Sequence, residues 1–113
     1  MVRAPRASPA RGDVWLINLD PTIGSEIQKT RPCVVVSPPE INDNLPVMLV
    51  APLTSGSRPA PFRIATTFDG KAGLMLLEQV RAVDSRRLVK KLGEVDRLTL
   101  RSALAVLRAL FAE

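Results

Sequence analysis

The sequence predicts a mainly β protein: a curled antiparallel sheet or small β-barrel with a C-terminal helix. Two observations predict it. Short β-branched and apolar runs, punctuated by Gly, Pro, Asn and Asp, recur from Asp13 to Val95. One amphipathic stretch follows, from Asp96 onward. Strands first and a helix last is the layout in which a helix covers one face or end of an antiparallel sheet. A chain of 113 residues, 46% hydrophobic and 24% charged, has the composition of one globular domain with one core.

Residues 1–11 are rich in Pro, Ala and Arg and aperiodic, which predicts a disordered arm ahead of a domain over residues 12–113. Asp13 to Leu19, bounded by Arg11-Gly12 and Asp20-Pro21, reads as the first strand. Asp20 to Thr30 is polar and too long for a tight hairpin, the character of a loop with a functional role. Pro32 to Ser37 reads as the second strand, with Pro32 at its start and Pro38-Pro39 ending it. Asn42-Asp43-Asn44 reads as a turn, and Pro46 to Leu53 as the third strand. Thr54 to Pro61 is a Ser/Gly/Pro loop; Phe62 to Thr67 is the next strand, and Asp69-Gly70 a turn pair. Gly73 to Val83, interrupted at Glu78-Gln79, predicts two short strands or one bent strand. Asp84 to Arg87 suits a helical turn, and Leu88 to Val95 a last short strand. Asp96 is an N-cap for a helix over residues 97–112, whose Leu100, Leu104, Leu107 and Phe111 stripe predicts packing on the sheet.

Composition narrows the chemistry. A formal charge of +5 and a pI near 10.4 attract polyanions, nucleic acid being the commonest; the alternative is solubility alone. The chain has no His, which removes His-based acid–base chemistry, Cys–His nucleophiles and the usual zinc sites. The one cysteine, Cys33, lies in the run Cys33-Val34-Val35-Val36 and reads as a small buried hydrophobe. No apolar run reaches membrane-span length, and no apolar segment follows the basic N-terminus as in a secretory signal. The expectation is a cytoplasmic protein without membrane association.

Three segments stand out together: Gly24-Ser25-Glu26-Ile27-Gln28-Lys29-Thr30-Arg31-Pro32, Ala51-Pro52-Leu53-Thr54-Ser55 and Leu77-Glu78-Gln79-Val80-Arg81-Ala82-Val83-Asp84. With Gly12-Asp13-Val14-Trp15 and Asp20-Pro21-Thr22, they resemble in order and spacing the MazF/PemK-type toxins, over residues 11–112. The resemblance implies an SH3-like barrel of the MazF/PemK/CcdB toxin type, with a C-terminal helix, usually homodimeric. It implies a toxin endoribonuclease of a toxin–antitoxin system. Such an enzyme cuts mRNA or other single-stranded RNA at short sequences without metal or cofactor, inhibiting translation and growth. The ends left are a 2′,3′-cyclic phosphate and a 5′-hydroxyl. It implies restraint by a cognate antitoxin with an acidic, partly disordered tail.

By the same resemblance, Arg31 matches the catalytic arginine of an Arg-Pro motif, and Thr54 the catalytic threonine or serine after the third strand. Glu26 and Gln28 fall in the loop that lies over the RNA; Lys29, Ser55 and Arg58 complete the RNA-contact candidates. The chemistry fits these residue types. In-line attack by a ribose 2′-OH needs a proton removed and charge stabilised on the phosphorane oxygens. An arginine fork matches those oxygens and a threonine hydroxyl donates to them. The sequence departs from some family members: Ser25 stands where they place a His, Leu76 where they place an Arg, and Glu78 where they place an Asp. That leaves the general base open among Glu26, Glu78 and a water-mediated route.

Each candidate has a plainer reading. Arg31 alone is a surface arginine pairing with a carboxylate. Thr54 alone is a strand-end hydroxyl bonding its own backbone. Glu26 caps a turn, and Glu78 holds a structural partner such as Arg81 or Arg31. Trp15 is core, or a rim residue that stacks a base. Arg86, Arg87, Lys90 and Lys91 form a solvated face. The alternative function is a non-catalytic toxin on the same fold that binds and inhibits DNA gyrase. That class depends on a Trp-Gly-type tail, whereas this chain ends Leu110-Phe111-Ala112-Glu113.

Overall fold

The structure is a computed structural model and describes residues 8–113. Its strands are β1 (Asp13–Asn18), β2 (Thr30–Val35), β3 (Val47–Thr54), β4 (Arg63–Phe68), β5 (Lys71–Leu76), β6 (Arg81–Asp84) and β7 (Leu88–Glu94). A one-turn helix α1 (Pro39–Asn42) links β2 to β3, and α2 (Arg97–Leu110) follows β7. The antiparallel sheet runs β4-β5-β3-β2-β1-β7, with β6 also on β3. It curls into a half-barrel with α2 packed against it, the mainly β class the sequence predicts.

The two central strands are apolar over Cys33–Val35 and Val50–Leu53, where both of their faces are covered. On one face, Val34, Val36 and Ala51 join Val14, Met75, Leu77 and Ala103 of α2. On the other, Cys33, Val35, Met48 and Val50 join Ile17, Leu19 and Val83. Trp15 packs on this second cluster from a half-buried position, and its Nε1 donates to Asp13 Oδ2 at 3.3 Å.

The sheet does not close into a ring of ladders. Among the described residues no ladder joins β4 to β7, the two ends of the path. They meet through a ring instead: Phe68 lies so close to Gly93 that a Cβ there would come within 3.1 Å of it.

Several boundaries differ from expectation. The second strand starts at Thr30, so Pro32 lies inside it. The β2–β3 ladder begins only at Cys33, so Pro32 has a single strand neighbour, β1, and a proline is tolerated. Asn42 belongs to α1 instead of a simple turn; Pro39 opens that helix, where its missing N–H costs nothing. Gly73 to Val83 resolves into two strands separated by a 3-10 turn, Leu77–Gln79. Asp84 caps the next 3-10 turn, Ser85–Arg87, by accepting from Arg86 N at 2.9 Å. The α2 cap is as expected, Asp96 Oδ1 accepting from Thr99 N at 2.7 Å. The helix ends at Leu110, however, and Phe111 is 78% exposed instead of buried.

The predicted arm, residues 1–11, falls mostly on residues 1–7, outside the described residues. Its last two residues are tied to the domain: Ala10 N donates to Asp13 Oδ2 at 2.9 Å and Arg11 Nε to Val36 O at 2.9 Å. No helix among the described residues is long and apolar enough to cross a membrane.

Candidate functional site

Arg31 and Thr54 come together because β2 and β3 are neighbours in the sheet. Arg31 lies at the start of β2 and Thr54 at the end of β3, and both line one cleft of about 330 Å³, with Ser55 beside them. Arg31 is oriented by the loop that precedes it: its Nε donates to Gln28 O at 3.1 Å. Among the described residues it has no carboxylate partner. The guanidinium therefore keeps its terminal nitrogens for a ligand. Thr54 Oγ1 accepts from Gly56 N at 3.2 Å, which occupies a lone pair and leaves the hydroxyl hydrogen to donate elsewhere. So Thr54 does bond its local backbone, and that bond aims it. Gly73 of β5 backs it closely: a Cβ on Gly73 would stand 2.7 Å from Thr54 O.

The β1–β2 loop is strapped to the body of the protein. Gln79 Oε1 accepts from Ile27 N at 2.8 Å, Arg81 Nη1 donates to Leu19 O at 3.1 Å, and Arg87 donates to Asn18 O and Asp20 O. Within the loop, Asp20 Oδ1 accepts from Lys29 N at 2.8 Å, and Lys29 takes a left-handed φ of 68°. Arg87 is thus a structural brace, not part of a solvated face. Gln79 and Arg87 are the residues that sequence reasoning left without a role. Gln79 was visible as an interruption in an apolar run and as a member of the third motif, but its partner lies 52 positions away.

The carboxylates proposed as bases do not share the Arg31–Thr54 cleft. Glu26 and Glu78 line a neighbouring depression with Gln79 and Arg81. Glu26 Oε1 accepts from Ile23 N at 2.6 Å and caps a turn. The partner of Glu78 is neither Arg81 nor Arg31 but Arg63, whose Nη2 and Nε lie 2.6 and 3.0 Å from Glu78 Oε2. Arg63 reaches it because the β4–β5 hairpin pairs Arg63 with Leu76, two residues before Glu78. Arg63 also donates from Nη1 to Arg58 O at 2.9 Å, so Arg58 contributes its carbonyl to holding that loop while its side chain is exposed. The carboxylate that does line the Arg31–Thr54 cleft is Asp69, with Lys71 near it at the β4–β5 turn. Sequence reading treated Asp69 only as half of a turn pair.

Cys33 is two residues from Arg31 but takes no part in the cleft. It is fully buried, and burial pushes its thiol up to about 12, slightly opposed by the charge of Arg81. A thiol so far from ionisation is no nucleophile at neutral pH.

A curled antiparallel half-barrel with a terminal helix, in a basic chain whose cleft holds both an arginine and a threonine hydroxyl, defines a class: small basic β proteins with a polar cleft at one end of the central strands. Residues 10–111 match the family described as PemK-like, MazF-like toxin of type II toxin–antitoxin system, and the chain belongs to that family. It is 39% identical over 83 residues to endoribonuclease PemK of Escherichia coli, an alignment covering 67% of this chain and 61% of that protein. It superposes on the crystal structure of MazF from Deinococcus radiodurans with a TM-score of 0.83 at 28% identity, covering 93% of this chain and 97% of the other. MazF in the MazE–MazF complex of the same organism gives a TM-score of 0.76 at 25% identity, covering 95% and 98%.

Proposed function

We propose that this chain is a toxin endoribonuclease that cleaves single-stranded RNA by in-line attack of a ribose 2′-OH, without a metal ion. The products are a 2′,3′-cyclic phosphate and a 5′-hydroxyl, and the consequence in the cell is arrested translation and growth. Endoribonuclease activity is the one named for its relatives, PemK among them. The observation that supports the chemistry is the cleft in which Arg31, free of any carboxylate among the described residues, lies with Thr54. Arg31 stabilises charge on the phosphorane oxygens and Thr54 donates its hydroxyl hydrogen to them; fixed donors of this kind act where charge develops. DNA lacks the attacking hydroxyl, so the same cleft holds it uncut.

Glu26 supports the loop over the RNA by capping the Ile23 amide from the neighbouring depression. Glu78 is ion-paired with Arg63 and through it supports the loop between β3 and β4. Ser55 in the cleft, with Gln28 and Lys29 in the loop before Arg31 and Arg58 in the loop after Thr54, contacts the RNA backbone and bases.

The partner that restrains it is an antitoxin with an acidic, partly disordered tail lying over the basic cleft and displacing the 20–29 loop. Solved relatives include MazF in complex with MazE. The chain works as a homodimer in the cytoplasm. An apolar groove of about 880 Å³ between α2 and the sheet, lined by Leu49, Leu104, Leu107 and Phe111, is the surface a second copy covers. No observation favours the gyrase-binding alternative.

The test is cleavage of mixed-sequence single-stranded RNA in EDTA. Discrete fragments with cyclic-phosphate ends are expected. Arg31→Ala should lower the rate ~100-fold to 1,000-fold or more, and Thr54→Ala less, since a neutral donor is lost while the cation remains. A dead Thr54→Ala beside a nearly normal Arg31→Ala would overturn the assignment of roles.

A further inference from the structure

The Arg31–Thr54 cleft extends past the reacting groups to a wall that the cleavage chemistry does not use. That wall comes from the β4–β5 hairpin and β7: Phe68, Asp69 and Lys71 from the first, Leu92 from the second. We propose that it is the binding site for one nucleobase beside the cleaved bond, and that guanine is the base it accepts best. The inference rests on the nuclease reading for the position of the phosphate; the pocket itself is defined by its own residues.

The shape fits a single base. The cleft volume, about 330 Å³, stands at the small end of the range for ligand clefts, ~300–1,000 Å³. Phe68 and Leu92 supply apolar surface for the flat face of a base, and the ring of Phe68 is held against Gly93. A base there remains continuous with a phosphate at Arg31 and Thr54.

The polar groups fit an edge. Asp69 and Gly70 form a two-residue turn with φ of 52° and 74°, and Phe68 pairs with Lys71 across it. Such a turn fixes its flanking side chains closely. It holds a carboxylate and an ammonium two positions apart at the rim of one pocket. Neither is spent on an ion pair among the described residues. Asp69 offers two acceptor oxygens and Lys71 a donor. In single-stranded RNA the Watson–Crick edge of a base is open to such readout. Only guanine presents two adjacent donor groups there, N1–H and the N2 amine, next to an acceptor, O6. The carboxylate takes the first two and the ammonium donates to the third.

The experiment maps the bases flanking each cut in mixed-sequence RNA for the wild type, Asp69→Asn and Lys71→Gln. Asn tolerates the left-handed backbone at position 69, so the turn survives the first change. The wild type should prefer guanine at one flanking position by about tenfold or more, and each variant should cut a broader set of sequences. A parallel arm measures fluorescence anisotropy with labelled, uncleavable single-stranded DNA carrying dG or dC at that position, where the dG preference should fall in both variants. Unchanged base preference in both variants overturns the proposal. So does an Asp69→Asn protein that cuts nothing yet binds the dG strand as well as wild type, which would make Asp69 a catalytic base instead. If the wild type cuts no RNA, the nuclease reading fails, and the binding arm still decides the pocket.

Discussion

Arg31 is set in place by a backbone carbonyl, and that choice matters for its chemistry. A carboxylate partner would neutralise the charge and compete with phosphate, whereas Gln28 O orients the side chain and leaves its cationic edge open. Arg31 and Thr54 were legible in the sequence because each sits in a short ordered motif at the end of a readable strand. The partner of Glu78 was not. Arg63 lies 15 positions away, and only the hairpin register brings the two together. Cys33 was legible for the opposite reason, since its place in an apolar run buries the thiol, whose Sγ reaches only the Arg31 carbonyl at 3.5 Å. Its thiol should resist alkylation by iodoacetamide at pH 8 in the native protein and react promptly in denaturant, as read by mass spectrometry. Rapid native labelling would contradict the burial. The pH dependence follows the same sign. The folded state holds the thiol proton more tightly, from the ordinary 9.0 up to about 12. This stabilisation is complete below 9.0 and is eroded as pH rises through that window.

Among the elements, the β1–β2 loop shows what a sequence does and does not disclose. Its polarity and length announced a functional loop, but its straps come from Gln79, Arg81 and Arg87, each more than fifty positions away. The same holds for α1. Ser37 Oγ donates to Asn42 Oδ1 at 2.5 Å, and Leu49 N donates to Ser37 Oγ at 2.9 Å. That buried network turns an Asn-Asp-Asn stretch into a helical turn, and it spans residues no local pattern links. The Asp69-Gly70 hairpin, by contrast, is fixed by local backbone preference and was readable at once. One prediction belongs here. Gln79→Ala frees Ile27 N, which loosens the loop that orients Arg31 through Gln28. A neutral hydrogen bond of this kind contributes about 0.5–1.5 kcal/mol, so the cleavage rate should drop several-fold. Glu at 79 also accepts from an amide, so Gln79→Glu should recover part of the loss. An unchanged rate in Gln79→Ala would mean that the loop is held without this strap.

For the whole molecule, the strand inventory and terminal helix followed from periodicity, while the sheet order did not. The placement of β6 on β3 instead of beside β5 depends on the 3-10 turn at Leu77–Gln79, which redirects the chain. The helix also carries more apolar surface than one chain covers. At the end of the helix Phe111 is 78% exposed, and it lines one groove with Leu49, 37% exposed. If that groove pairs two copies, Phe111→Glu should shift the protein from dimer to monomer by light scattering at micromolar concentration. A wild type already monomeric there would remove the homodimer from the account.

The seam between β4 and β7 sets a clock for the cleft. Because a ring on a glycine joins these strands where a ladder would otherwise run, separating them breaks no backbone hydrogen bond between them. The β4–β5 hairpin is anchored to β3 by only Leu53–Met75 and Thr54–Leu74, at its far end. Its tip can therefore part from β7 while the central strands stay closed, so the molecule should open locally at much lower free energy than it unfolds. In native-state hydrogen exchange, the outward-facing amides of β4 and β7 should exchange early and those of β2 last. A bulky residue in place of Gly93 would wedge the seam apart and hasten exchange in β4 without touching Arg31 or Thr54.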